Sequence, residues 1–585
     1  MVNGPEDVPD WDTVDWRSQE GNVRRLRQRI FKATQEGDLA TVRNLQKLML
    51  RSWSNTLVSV RQATQRNAGR ETAGVDGEVA LTSRARMDMA VRVHRDASSW
   101  RPRPVRRVHI PKAGNRAKLR PLGIPVIVDR CHQGRVRAAL EPEWEARFEP
   151  RSYGFRPGRS CHDAIGAIYN TCKGSRAKRM WALDADLAAA FDKIDHSRLL
   201  ETLGSFPARD MIRDWLKAGV FEAGKGFAPT EEGTPQGGVI SPLLLNVALH
   251  GLERAAGVRY IASGRQAGDT KAGSPVAIRY ADDVVVLCHT RQQAERVKAR
   301  LAEWLAPRGL VFNEDKTQIV HLSTGFDFLG FNARRYGQQL LIKPSKAAIQ
   351  QIRERLRMEM RALRGSNAAA VLAALTPIIR GWAAYYRGAV SSRTFKALDD
   401  YMWKLTYKWA KRGHANKSKR WVVSRYFGKF NKFRNDHWVF GDVASGAYLV
   451  KFSWTLIVRH TLVKGGASPD DPALAEYWAE RRRRIKPPLD GYTLRLLTKQ
   501  DGRCPLCRNE LLSAEQPPRS PREWERWWLQ ITRKAIVADY LVHYGRSGSP
   551  DGDRTRLVHA SCNREPKPAR AQARHFNPES PSRLA

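Results

Sequence analysis

The sequence predicts a multidomain α+β protein, on three observations. At 585 residues the chain exceeds what one hydrophobic core organises, which argues for about three to five domains. Residues 86–340 mix short strand-like runs with amphipathic helices, whereas the pattern after LLIKPSK turns helical. The tail from 490 carries a cysteine cluster and finishes in a Pro-, Ser- and Arg-rich segment that reads as disordered.

Charge narrows the partners. Against 59 Asp and Glu stand 101 Lys and Arg, a formal net charge of +42. Such a chain repels itself unless a polyanion or salt screens it, so DNA, RNA or an anionic membrane come into question. No run of 18 apolar residues appears, and MVNGPEDVPDWD lacks the basic and apolar regions of a signal peptide. The expectation is an intracellular protein bound to nucleic acid. Seven cysteines do not make a disulfide scaffold at this length; Cys131, Cys161, Cys172 and Cys288 read as scattered packing residues.

In chain order, residues 1–85 look helical, as in TVRNLQKLMLRSW. RRVHIPK and RPLGIP resemble strands joined by a basic, Gly-containing loop, and VDRCHQGRVRAALEPEWEARF resembles a helix. MWALDADL, VAIRY and VVVLC are strand candidates, and AERVKARLAEWLAPRGL is a helix ended by Gly309. Ile349, Ile352, Leu356, Met360 and Leu363 then form one apolar helix face. The following hundred residues read as helical, basic and aromatic. Interleaved Lys, Arg, Trp and Tyr suit phosphate contact with base stacking, the alternative being a core with a solvated face.

Within RYADDVVVLC (279–288), Asp282 and Asp283 interrupt a run that otherwise reads as buried strand. Adjacent carboxylates repel, and burying them unpaired is costly. A hairpin tip is one answer and a cation the other. Upstream, in WALDADLAAAFDKIDH, Asp184 and Asp186 share one face of a strand. A strand ending in Asp186 beside a hairpin carrying Asp282 and Asp283 would converge carboxylates. Phosphoryl transfer through two Mg²⁺ ions about 4 Å apart needs that arrangement.

Six motifs in order carry a resemblance: IPKAGNRAKLRPLGIP, SYGFRPGRS, TPQGGVISPLLLNVALHGLE, RYADD, GLVFNEDKTQIV and FDFLGF. Together they resemble a group II intron-encoded reverse transcriptase, and RGWAAYYRG extends the likeness into that family's thumb or maturase region. The resemblance implies a right-hand polymerase with fingers and palm, a helical thumb/maturase domain, and a small zinc-bound domain like an HNH endonuclease. The implied divisions are an N-terminal helical extension (1–85), fingers and palm (86–340), thumb/maturase domain (341–445), DNA-binding segment (446–490), HNH-like domain (491–570) and disordered tail (571–585).

It further implies Asp186, Asp282 and Asp283 as catalytic ligands of two Mg²⁺, with the carbonyl of Leu187 adding an oxygen and Asp184 a neighbour. Lys112 and Arg120 would grip the triphosphate of an incoming dNTP, and Gln236 and Gly237 would line its pocket. Phe191 would exclude a ribose 2′-hydroxyl. Lys316 reads equally as a phosphate contact or a solvated turn lysine. The family often has Asp-Ile-Lys-Gly-Cys-Phe where this chain has Asp-Leu-Ala-Ala-Ala-Phe; Ala188 thus removes a side chain beside the first ligand.

In the tail, DGRCPLCRNELL and HASC offer Cys504, Cys507, His559 and Cys562 as a tetrahedral Zn²⁺ set, against a redox dithiol of Cys504 and Cys507. His543 alone falls where HNH nucleases carry their central histidines, with Tyr544 next to it; Asp551, Asp553 and Asn563 are further candidates for a nuclease metal. An intact zinc fold is the expectation, DNA cleavage an open question.

The function implied is an RNA-directed DNA polymerase of a mobile intron. It binds intron RNA, assists splicing and primes reverse transcription at a DNA target. The alternatives are a splicing maturase with little polymerase activity and a host-recruited reverse transcriptase. The partners are intron RNA, an RNA template, target DNA and primer, in a bacterial-type cytoplasm or nucleoid.

Overall fold

The computed structural model describes residues 10–112, 115–234, 237–264, 267–431, 434–484, 487–489, 491–506, 508, 511–512, 518–534, 537–540, 555–558 and 562. Three helices open the chain, Trp16–Gln35, Leu39–Arg51 and Trp53–Arg61, with first turns capped by the side chains of Asp15, Asp38 and Ser52. They pack on the long helix Ile127–Arg147, whose surface is buried nearly all round. That burial brings charge inside, so Glu143 is paired with Arg43 at 2.6 Å and with Arg147 at 2.8 Å.

Two four-stranded sheets follow. In the first, Val105–Lys112 pairs antiparallel with Asn115–Ile124 and parallel with Val220–Glu222, beyond which lies Gly226–Ala228. The second is antiparallel throughout, in the order Val276–Tyr280, Asp283–Cys288, Trp181–Asp186, Gln318–His321. Alternate side chains of its strands feed two different cores. Leu183, Ala185, Val284 and Val286 join the core built with the N-terminal helices, whereas Ala182, Val285 and Leu287 join that of the C-terminal helices. Burial on both faces explains why VVVLC is unbroken by polar residues.

The second core takes in the helices Lys346–Ala362, Ala368–Tyr386 and Ser392–Gly413. Ala368–Tyr386 is long and apolar enough to cross a membrane, but 67% of its most apolar window is buried inside the protein. The stretch that reads as continuously helical breaks at Phe427–Gly428, which pairs with Val439–Phe440. Phe427 and Phe440 both bury in the second core, and this packing outweighs local helical preference.

Beyond it, the stretch 458–484 docks back onto earlier parts of the chain. Asp470 takes the Arg27 guanidinium through both oxygens, at 2.8 and 2.7 Å. Buried Asp163 receives His460 at 2.8 Å, the Val463 amide at 2.9 Å and Arg481 at 3.2 Å. The helix Pro521–Lys534 lies along Ala368–Tyr386. Gly381 permits this: a Cβ there would lie 2.7 Å from the Glu525 nitrogen and 2.8 Å from the Pro521 oxygen. Arg355 pairs with Glu525 at 2.7 Å, and Arg380 stacks 4.0 Å over Trp528.

Candidate active site

Asp186 ends its strand directly opposite Asp283, and Asp283 in turn faces Tyr280 across the hairpin. Only Ala281 and Asp282 form the turn. Ala281 has φ +58°, a left-handed conformation that costs an L-residue about 1 kcal/mol and must be held by its surroundings. The holding group is Arg279, 2% exposed. Its guanidinium donates to the Ala281 carbonyl at 3.1 Å, to Asn246 Oδ1 at 2.8 Å and to Ser152 Oγ at 2.6 Å. Asn246 donates in turn to the Gly154 carbonyl at 2.9 Å. Gly154 lies so close beneath the hairpin that a Cβ would come 2.1 Å from the Ala281 nitrogen.

SYGFRPGRS is therefore the support of the hairpin. Its Arg156 is fully buried and grips Glu145 through two bonds of 2.9 Å. The sequence reading missed Arg279, Asn246 and Gly154. The available signal was an Arg inside the apolar strand VAIRY and an Asn inside LLLNVAL, because buried polar groups need partners.

The carboxylates load this end of the sheet with like charge. Burial, then the charges of Asp282, Asp186 and Asp184, pushes Asp283 up to about 7. Burial raises Asp282 as well, with Asp186 adding to it and Arg120 and Lys316 opposing. Asp184 is pushed up to about 6, chiefly by burial, while Gln318 donates to it at 3.2 Å.

Asp186 has partners of its own: the Lys316 ammonium and, at 3.3 Å, the Asn313 amide meet its Oδ2. The Asn313 backbone N–H donates to the Asp186 carbonyl at 2.8 Å. Lys316 thus contacts the first aspartate directly, and Asn313 is a further residue the sequence reading missed. Among the described residues no three acidic, His or Cys side chains close into a metal cage. The expected convergence on one point is looser, because like charges repel and the Lys316 ammonium offsets one of them. The chemistry of the donors, hard oxygens crowded where their charge is disfavoured, still fits Mg²⁺, since a divalent cation would reverse both penalties.

Around the carboxylates, Phe191 stands edge-on to Phe155 with ring centroids 6.2 Å apart, and its carbonyl accepts from the Thr234 amide at 2.5 Å. Leu187 is buried and bridged to Phe312, and the Ala188 amide donates to the Val311 carbonyl at 2.9 Å. Gly237, at φ +116°, lies against the strand that carries Arg120: a Cβ there would lie 2.5 Å from the Gly123 carbonyl oxygen. Arg120 is exposed opposite Ile110. Lys112 ends its strand, its side chain lying outside the described residues, as does Gln236.

In the tail, Cys504 and Cys562 share one small apolar cluster with Leu511, Leu557 and Val558. The Gln500 side chain ties the strand Thr555–Val558 to the helix Gly491–Lys499, donating to the Leu557 carbonyl at 2.8 Å and accepting from its amide at 2.7 Å. Cys507, His543, Tyr544, Asp551, Asp553, His559 and Asn563 lie outside the described residues, as does the segment 571–585.

Comparison with known proteins adds independent findings. Residues 110–333 match the family model of reverse transcriptase (RNA-dependent DNA polymerase), and 11–93 match the N-terminal domain of reverse transcriptase. Residues 349–427 match the maturase-specific domain of group II introns. Protein YkfC of Escherichia coli (strain K12) is 35% identical over 322 residues, covering 49% of this chain and 83% of that protein. The group II intron-encoded protein LtrA of Lactococcus lactis subsp. cremoris is 36% identical over 233 residues, 39% of this chain and 37% of its own length. Maturase-like protein 1 of Euglena gracilis is 25% identical over 380 residues, covering 64% and 76%. With these matches spanning the N-terminal helices, the carboxylate hairpin and the maturase-specific region alike, the chain belongs to the group II intron reverse transcriptase/maturase family and is an RNA-directed DNA polymerase.

Proposed function

We propose that this polymerase copies an intron RNA into DNA from a primer at a DNA target, and that it binds the same RNA and assists its splicing. The observation that carries the polymerase reading is the meeting of Asp186 with Asp282 and Asp283 at one end of the sheet, where burial and repulsion disfavour the charge of the last two until a cation arrives. These three side chains, with the Leu187 carbonyl, would hold Mg²⁺. When bound, the metal neutralises the carboxylates and polarises the reacting phosphoryl and 3′-hydroxyl oxygens.

The protein's own groups do the positioning. Lys316 would exchange its contact with Asp186 for the phosphates of the dNTP, acting as a point charge. Arg120 would offer a fork to the same phosphates, and Lys112, at the end of the paired strand, is the second candidate. Gly237 lets its loop pack against the Gly123 carbonyl, where no Cβ fits; Gln236 and Gly237 would line the nucleotide pocket, and Phe191, edge-on to Phe155, would lie next to the sugar.

Trp382, Tyr385 and Tyr386 are buried in the second core and do not stack on bases; the exposed Lys and Arg of the helices between 346 and 426, with Trp421, would carry the intron RNA, and the basic stretch 446–490 the target DNA. For the tail we infer a zinc held by Cys504, Cys507, His559 and Cys562, supported by the cluster that Cys504 and Cys562 share. His543 is the candidate for any nuclease chemistry.

Primer extension on an RNA template with Mg²⁺ tests the reading. Asp282→Asn should lower the rate about a thousandfold or more, a loss of several kcal/mol of charge stabilisation, while template binding changes little. Extension at the wild-type rate by this variant sinks the assignment. Metal analysis of the full chain should find one zinc that is lost in Cys504→Ser.

A further inference from the structure

A cavity of about 230 Å³ lies away from the carboxylates, where four parts of the chain meet. Its walls are the N-terminal end of the helix Cys161–Cys172, the residues just after Ala368–Tyr386, the extended stretch 458–464 and the helix Ala475–Arg484; Pro518 and Trp524 stand at its rim.

The lining is strongly cationic. Arg387, Arg459, Lys464, Arg481 and Arg484 face it against two carboxylates, Asp163 and Glu480. Both acids are already engaged, Asp163 by His460 and Arg481 and Glu480 by Arg484. Burial pushes the Arg387 guanidinium down to about 10, which leaves it a cation at neutral pH. Trp524 and Tyr477 add aromatic surface, and the Tyr477 hydroxyl is fixed by accepting from the Lys464 amide at 3.0 Å.

Size selects the ligand. A pocket for a whole small molecule runs to about 300–1,000 Å³, and this one is smaller. It suits a piece of something longer. We propose that the cavity seats one phosphate group of a nucleic-acid strand, held by Arg387, Arg459 and Lys464, with the attached sugar or base against Trp524. Choosing a nucleic acid over another phosphate carrier rests on the polymerase reading; the phosphate seat itself rests on the cavity.

The test uses the full-length chain and three probes: inorganic phosphate, a single-stranded RNA decamer and the DNA decamer of the same sequence. At matched ionic strength, phosphate in place of chloride should raise the melting temperature by a few degrees. Arg387→Gln combined with Arg459→Gln should remove that increment. Because Arg387 is partly buried and its loss can disturb folding, Arg459→Gln with Lys464→Gln is the second variant, since both side chains are exposed.

Wild-type protein should bind at least one decamer with a steeper salt dependence than either double variant. The difference in slope of log K against log salt should be about one to two, and affinity at low salt should fall about tenfold. Whichever decamer responds identifies the strand as RNA or DNA. Phosphate increments and salt slopes that are equal in wild type and the rim variant overturn the proposal. Primer extension measured in parallel separates the readings. An active polymerase with no phosphate increment loses only the seat, whereas an inactive one that keeps the increment loses only the polymerase reading.

Discussion

Asp186 and Asp283 are register partners at the end of adjacent antiparallel strands, two carboxylates facing each other where a sheet usually pairs apolar side chains. The arrangement trades stability for chemistry. Asp283→Asn removes one of the repelling charges and should raise stability in EDTA by about 1–2 kcal/mol at pH 8, read as a higher melting temperature. Added Mg²⁺ should then stabilise wild type more than the variant, and primer extension by the variant should be lost. A variant less stable than wild type in EDTA would show that repulsion between these carboxylates does not govern the stability of this end of the sheet.

Arg279 acts through the turn it holds. Replacing it with Met leaves the Ala281 carbonyl, Asn246 Oδ1 and Ser152 Oγ without their donor, at a cost of about 2–4 kcal/mol. The extension rate kcat should fall about ten- to hundredfold with KM for dNTP little changed, because Asp282 loses its placement while the nucleotide contacts survive. Partial recovery of kcat by Arg279→Lys is expected. Reduced stability with kcat intact would leave Arg279 a residue of the fold alone.

Phe191→Val shortens the ring that stands against Phe155. Incorporation of ribonucleotides relative to deoxynucleotides should rise about ten- to hundredfold, the range that a change of shape in an apolar pocket provides. Unchanged discrimination in side-by-side incorporation assays removes Phe191 from the nucleotide pocket.

Asp163 predicts an acid limit for the docking of 458–484. Burial pushes its carboxyl up, but the hydrogen bond from His460, the charge of Arg481 and the Val463 amide outweigh this and hold it down to about 2, against an ordinary 3.8. His162, next in the chain, also faces it. A depressed carboxyl contributes stability above the unfolded value and loses it as pH falls through the folded one. About 2 kcal/mol should therefore disappear between pH 4 and pH 2. Proteolysis within 458–484 should rise over that window in wild type and follow a flat profile in Asp163→Asn.

The carboxylate site was largely legible because its signals are local. Period-two alternation marks the strand ending in Asp186, and two acids inside RYADDVVVLC stand out against their apolar neighbours. What was not legible depends on contacts between distant segments. Arg279 bonds Ser152, and Asn313 reaches Asp186, across separations that no window of sequence connects. The Phe427–Phe440 pairing is of the same kind, since two short strands inside a helical, basic region appear only once a shared core selects them. Lys316 read evenly between phosphate contact and solvated lysine for a related reason. Its partner Asp186 lies in the strand next to its own loop, and turn residues carry no mark of what they reach.

The fit of Glu525 over Gly381 bears on how the chain is made. Ala368–Tyr386 leaves the ribosome well before Pro521–Lys534, and the whole stretch from Arg387 to Ser520 must follow before that part of its surface gains its cover. Until then the nascent chain presents that helix face to solvent, open to chaperones and to neighbouring chains. Messages that stop early, before Pro521, would therefore yield a product that aggregates rather than a compact polymerase lacking its tail, and slowing translation through the codons for 487–520 would lengthen that exposure.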